Sequence, residues 1–183
     1  EGLSCKNDEL RGRVGGFDKG LHTLLELRRM GIKDIGFGIT VSNNNSADML
    51  DLYELNRNLK MQFATASFHN SFYFHKYDNK VTNIDEVCSN FDELIQRLMR
   101  ENSPKSWFRA FFNLGLINYI KGGRRMLPCE AGSENFFLDP HGNILPCNGM
   151  EASCWYETMG NLNDNTFEEI WNSEQAKLVR DKV

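Results

Sequence analysis

Two cysteines with seventeen residues between them, one on each side of a strong turn signal, constrain this chain more than any other feature. Asp139-Pro140-His141-Gly142 places Asp first, Pro second and Gly fourth. That order suits a tight reversal: Asp accepts nearby backbone N–H groups, Pro presets φ, and Gly tolerates the left-handed region. Phe136-Phe137-Leu138 leads into the turn and Asn143-Ile144-Leu145 leads out, so the spacing predicts a β-hairpin. Cys129 precedes the first strand and Cys147 closes the second. Folding the hairpin carries both thiols to its open end.

Thiols so placed have four readings. A disulfide requires an oxidising compartment, and an odd count of five cysteines with no signal-peptide pattern points instead to a reducing one. Zinc sites usually contain close C-x2-4-C pairs, and no CxxC occurs here. Iron–sulfur clusters accept wide spacing because their ligands converge from separate loops. Ordinary packed thiols are the fourth reading. The residues alone leave all but the disulfide open.

The wider stretch resembles the SPASM/twitch extension of radical S-adenosylmethionine enzymes. Cys129, twelve residues, Gly142, four residues and Cys147 fit its C-x(9–15)-G-x4-C signature. Asp139-Pro140-x-Gly142, Pro146-Cys147, Gly160-Asn161-Leu162 and Phe167-Glu168-Glu169-Ile170-Trp171-Asn172-Ser173 extend the likeness over about 45 residues. The resemblance implies an auxiliary [4Fe–4S] cluster with Cys129 and Cys147 among its ligands. Cys154, beside Trp155 and Tyr156, lies close enough in sequence to be a third.

Upstream, the apolar pattern switches between two periods. Glu1 to Ser4 reads as a strand end running into a glycine-punctuated loop that contains Cys5, and a helix follows over 18–30, stopped by Gly31. Ile32–Val41 reads as a buried strand, 47–59 as a helix with Asn45 as a plausible N-cap, and Met61–Ser67 as a second strand. An aromatic loop over 68–77 carries His69 and His75, either of which could touch a substrate. Helices over 85–100, which packs Cys88, and over 104–120, with Pro104 in its first turn, lead to Gly122-Gly123. Thr166 and Glu169 form a capping-box pattern for one closing helix over 167–182. Alternating strands and helices imply βαβ units and a parallel sheet.

The fold class is therefore α/β. The resemblance implies, more specifically, the C-terminal part of a partial (β/α)6 radical SAM barrel over residues 1–122. A small hairpin-plus-helix SPASM/twitch module then covers 123–183. Glu1-Gly2, Asp8 and Arg11 are similar to the family's stretch after its fourth strand, which assigns Arg11 to the carboxylate of S-adenosylmethionine. Asn45, after an apolar strand, matches a second family contact to that cofactor. The C-x3-C-x2-C loop of the radical cluster is absent from these residues, so a second cluster and S-adenosylmethionine are expected in a longer parent of which this chain is an internal fragment, inactive by itself.

The resemblance further implies a peptide, protein or small-molecule substrate, an electron donor such as flavodoxin or ferredoxin, and a cytoplasmic oxidoreductase. A net charge of −4 gives no basic excess for nucleic acid, and no apolar run reaches the roughly 20 residues that cross a bilayer. The competing classes are a non-catalytic iron–sulfur or zinc-stabilised binding module and a metal-free scaffold.

Overall fold

A computed structural model describes residues 1–70, 75–147 and 158–181. The chain packs as two units, Glu1–Phe68 with Lys80–Met126, and His69–Asn79 with Leu127–Val183.

In the first unit, strand β1 (Gly36–Val41), helix α3 (Asp48–Asn58) and strand β2 (Gln62–Ser67) form a parallel βαβ unit, paired from Gly36↔Gln62 to Val41↔Ser67. A crossover helix is what lets two consecutive strands run parallel. β1 is shorter than the apolar run suggests. At its start the Gln62 N–H donates to the Ile35 carbonyl, and Ile32 is exposed beside the charged Lys33 and Asp34. Gly38 lets the strands approach closely, since a Cβ there would sit 2.5 Å from the Ala64 carbonyl oxygen.

Helix α4 (Ile84–Arg100) presents Val87, Phe91, Leu94 and Leu98 on one stripe, and these bury against Ile39, Val41, Met49 and Leu52. Helix α5 (Pro104–Ile120), with Pro at its start, closes that core with Ala110 and Ile117. Cys88 is buried within it, as the helix pattern suggested, and burial pushes its thiol pKa up.

Three sequence expectations change here. Ser4–Arg11 is a helix, α1, where a loop was expected, and Cys5 lies on it. Asp8, on α1, accepts the Phe17 N–H at 3.0 Å and the Gly15 N–H, so it caps helix α2 (Gly16–Arg29) and ties α1 to it across the intervening glycines. Those bonds, led by that from Phe17, hold its carboxyl below the usual range. Asn45 does not cap α3, whose N-cap is Ala47 with no side-chain bond. Finally, the described strands of this unit are β1 and β2, a mixed α/β arrangement with a small parallel sheet.

In the second unit the hairpin forms where the turn signal put it. β3 (Phe137–Leu138) pairs antiparallel with β4 (Asn143–Leu145), and β5 (Gly160–Asn161) adds to the other side of β4. Asp139 clasps the turn. One oxygen accepts the N–H groups of His141 (2.8 Å) and Asn143 (2.9 Å), and the other accepts the Asn143 side-chain amide (2.8 Å). Gly142 sits at φ +86, and a Cβ there would press at 3.0 Å on both Asn161 and Asn163, whose amides bond the His141 carbonyl. Ile144 points into a second core with Met159, Ile170, Ala176 and Val179. A Cβ on Gly160 would lie 2.8 Å from Ile170, so β5 packs on the next helix through bare backbone.

The capping box holds: Thr166 accepts from the Glu169 N–H, and the Glu169 carboxylate accepts from the Thr166 N–H. The closing helix, however, breaks into α6 (Phe167–Trp171) and α7 (Glu174–Arg180). Ser173 causes the break. Its hydroxyl donates to the Ile170 carbonyl at 2.7 Å, ending one helix, and accepts the Ala176 N–H at 3.1 Å, starting the next.

Two outcomes follow. Phe91→Ala removes a fully buried ring and should cost about 3–5 kcal/mol in denaturant unfolding. For Asp139, burial opposes ionisation, but the bonds from Asn143 and His141 outweigh it and the carboxyl is held below its usual value. Its contribution is therefore present above the unfolded value of about 3.9 and is lost as pH falls through the lower folded one. Asp139→Asn should be less stable than the parent at neutral pH, with the difference in melting temperature shrinking below about pH 4. A constant difference from pH 7 to pH 2 would contradict the clasp.

Candidate metal centre

The site is built around the two ends of the hairpin. Cys129 is exposed and opens a short arm whose chain is gathered by the Glu130 carbonyl, which accepts the N–H groups of Ser133 and Glu134 at 3.2 and 3.0 Å. The arm closes with the Gly132 N–H donating to the Asn135 carbonyl at 2.8 Å. Gly132 lies against the other cysteine's segment, since a Cβ on it would sit 3.1 Å from the Cβ of Pro146. Pro146 is buried and Cys147, next in the chain, is half-buried. Thus the segments bearing Cys129 and Cys147 meet at Gly132 and Pro146.

Arg180 fixes that meeting. Its Nε donates to the Gly132 carbonyl and its Nη2 to the Trp171 carbonyl, both at 2.6 Å, while the guanidinium lies 4.5 Å above the Trp171 ring. The fork geometry of arginine lets one side chain hold two carbonyls and stack at once. Trp171 stacks on Phe167 with centroids 5.3 Å apart, and Phe136, just before β3, packs edge-on against Trp171. The last helix is thereby tied to the arm of the first cysteine. Sequence reasoning missed Arg180 and Gly132; a cation in a last helical turn usually serves the helix end, and here it serves a loop.

Cys154 lies outside the described residues, as does part of the aromatic loop over 71–74. Among the described residues no group of three or more His, Cys, Asp or Glu is placed to hold a metal ion. His141 is exposed at the hairpin's turn, and His22 lies on α2. The described donors are thus two soft thiols held on neighbouring segments. That set fits part of an all-cysteine cluster coordination, the remaining ligands coming from other residues.

The expected S-adenosylmethionine contacts lie in the first unit. Arg11 ends α1, is largely exposed, and lies 3.4 Å from the Glu1 carboxylate. It borders a cavity of about 700 Å³ floored by Leu21, Leu24 and Phe37. Asn45 is buried at the carboxyl end of β1. Its amide donates to the carbonyls of Glu1 (2.7 Å) and Thr40 (2.9 Å), and its oxygen accepts the Ser42 N–H (2.8 Å). Arg11 and Asn45 are brought together by Glu1, which each of them touches. The Asn45 amide is fully engaged within the protein.

Among the described residues no helix is long and apolar enough to cross a membrane. No curated protein and no solved structure matches the chain. Residues 129–183, from the first hairpin cysteine onward, match the SPASM family model, an iron-sulfur cluster-binding domain.

Proposed function

We propose that residues 129–183 bind an auxiliary [4Fe–4S] cluster through Cys129, Cys147 and Cys154, and that the chain belongs to a radical S-adenosylmethionine enzyme. The observation that carries the reading is the match beginning at Cys129. The turn and the contact of Gly132 with Pro146, which tie the two cysteine segments, support it. Such enzymes cleave S-adenosylmethionine reductively, and the resulting 5′-deoxyadenosyl radical takes a hydrogen atom from a peptide, protein or small-molecule substrate. The electron comes from a donor such as flavodoxin or ferredoxin.

Within that reading the chain's own residues have distinct tasks. The thiolates of Cys129 and Cys147 hold iron while Asp139, Arg180 and Pro146 keep their segments in place. Arg11, on the rim of its cavity, is the partner for the carboxylate of S-adenosylmethionine. Asn45, at the carboxyl end of β1, is the second residue on the S-adenosylmethionine side, and its amide holds Glu1 beside Arg11.

Anaerobic incubation of the chain with iron and sulfide should give a brown protein absorbing near about 400 nm, with iron and sulfide in equal amounts. Cys129→Ala and Cys147→Ala should each remove most of that absorbance while far-ultraviolet circular dichroism stays unchanged. Undiminished colour in both variants would refute the ligand assignment. Zinc bound with equal stoichiometry and no chromophore would instead favour a zinc-stabilised module.

A further inference from the structure

Between α5, α4 and β2 the first unit carries a cleft in two compartments that share Lys105 and Arg109. The apolar compartment, about 330 Å³, is bounded by Phe63, Leu94 and Leu98 together with Phe108 and Phe112 of α5. The polar one, about 260 Å³, is faced by Tyr53, Gln62, Glu101 and Ser106. Lys105 and Arg109 are one turn apart on α5, as are Phe108 and Phe112, so helical spacing sets a pair of cations beside a pair of rings.

The charges in the cleft do not cancel. Among the described residues neither Lys105 nor Arg109 has an ion-pair partner. Arg57, also in the polar compartment, pairs with Glu54 at 3.3 Å. The Glu101 carboxylate faces inward, with one oxygen taken by the Tyr53 hydroxyl and the other by the Ser106 hydroxyl. Residues 104–125 contain Lys105, Arg109, Lys121, Arg124 and Arg125 and no acidic residue, although the chain as a whole is acidic. Phe108 is 68 % exposed and Phe112 48 %, which leaves apolar surface unpaired beside the two cations.

We propose that this cleft binds a small free amphiphilic carboxylate, with its apolar tail against Phe63, Phe108 and Phe112 and its carboxylate between Lys105 and Arg109. An acyl or aryl tail matches an apolar slot at the lower end of ligand-pocket size, and a carboxylate balances the positive charge that the two cations keep beyond Glu101. The site is independent of the cysteines and of the iron–sulfur reading.

Octanoate titrated into the intact chain, followed by calorimetry, tests it. One molecule should bind per chain with a dissociation constant below about 1 mM. Octylammonium, with the same tail and the opposite charge, and acetate, with no tail, should both bind at least about tenfold more weakly. Arg109→Gln and Lys105→Gln should each weaken octanoate by about tenfold, and Phe112→Asp should abolish binding, with circular dichroism unchanged. No saturable octanoate binding, equal binding of octylammonium, or affinity untouched in Lys105→Gln and Phe112→Asp would each overturn the proposal. Co-sedimentation with anionic vesicles in place of saturable octanoate binding would also overturn it, marking a membrane-facing surface. Because no iron is needed, failure here leaves the cluster assignment standing.

Discussion

The carboxylate of Asp139 is the constraint on which the second unit depends. A two-residue strand facing a three-residue strand has too few ladder bonds to fix its own register. Asp139 replaces the missing bonds by gathering two backbone N–H groups and one amide into the turn. Asn161 and Asn163 add a second layer by holding the His141 carbonyl from β5 and the residues after it. Register matters because side chains alternate between faces. A slip of one residue would turn Ile144 out of the core and displace the segment that carries Cys147.

The first unit solves a different problem, that of keeping two parallel strands and the helices α3, α4 and α5 on one core. Polar ties between elements do much of the aligning. Thr65 on β2 donates to Asn113 on α5 at 2.7 Å, and the Asn113 amide donates back to the Arg109 carbonyl. At the entrance to α5, Glu101 joins the Tyr53 hydroxyl from α3 to that of Ser106. Burial, with that carboxylate beside it, keeps the Tyr53 phenol far above its ordinary pKa, so the tie stays protonated at any physiological pH. These contacts hold α5 against β2 while leaving its aromatic side uncovered, and the proposed cleft arises from that geometry.

What could be read from the sequence was local. The Asp-Pro-x-Gly turn, the stripe on α4, Pro104 at the start of α5 and the Thr166–Glu169 box each state their structure within a few residues, and each formed. What failed depended on partners distant in the chain or on competition between neighbours. α1 escaped notice because its sequence is polar and the bonds of its Asp8 reach across a glycine loop to the start of α2. Asn45 looked like an N-cap, yet its amide is taken by Glu1, forty-four positions away. Ser173 broke the last helix because a hydroxyl near a helix interior can serve either neighbour. In the candidate site the hairpin that sets the segments of Cys129 and Cys147 side by side was legible, whereas Arg180, which binds the arm of the first to the last helix, carries no local signal.

Charge separates the two halves of the chain as sharply as packing does. From Leu127 onward the sequence holds ten acidic residues, Glu130, Glu134, Asp139, Glu151, Glu157, Asp164, Glu168, Glu169, Glu174 and Asp181, against three basic ones, Lys177, Arg180 and Lys182. The difference of seven negative charges falls on the segment that matches a cluster-binding domain. Net charge, hydrogen bonds to sulfur and exposure are what a protein uses to set a cluster's potential. An acidic surround opposes adding an electron to a cluster. Arg180, tied to the Cys129 arm, gives two of its N–H donors to carbonyls and lays its face on Trp171, and so holds the scaffold there. Arg180 keeps its positive charge while it holds two neutral carbonyls, so beside the Cys129 arm it offsets part of the segment's negative charge as well as fixing the arm.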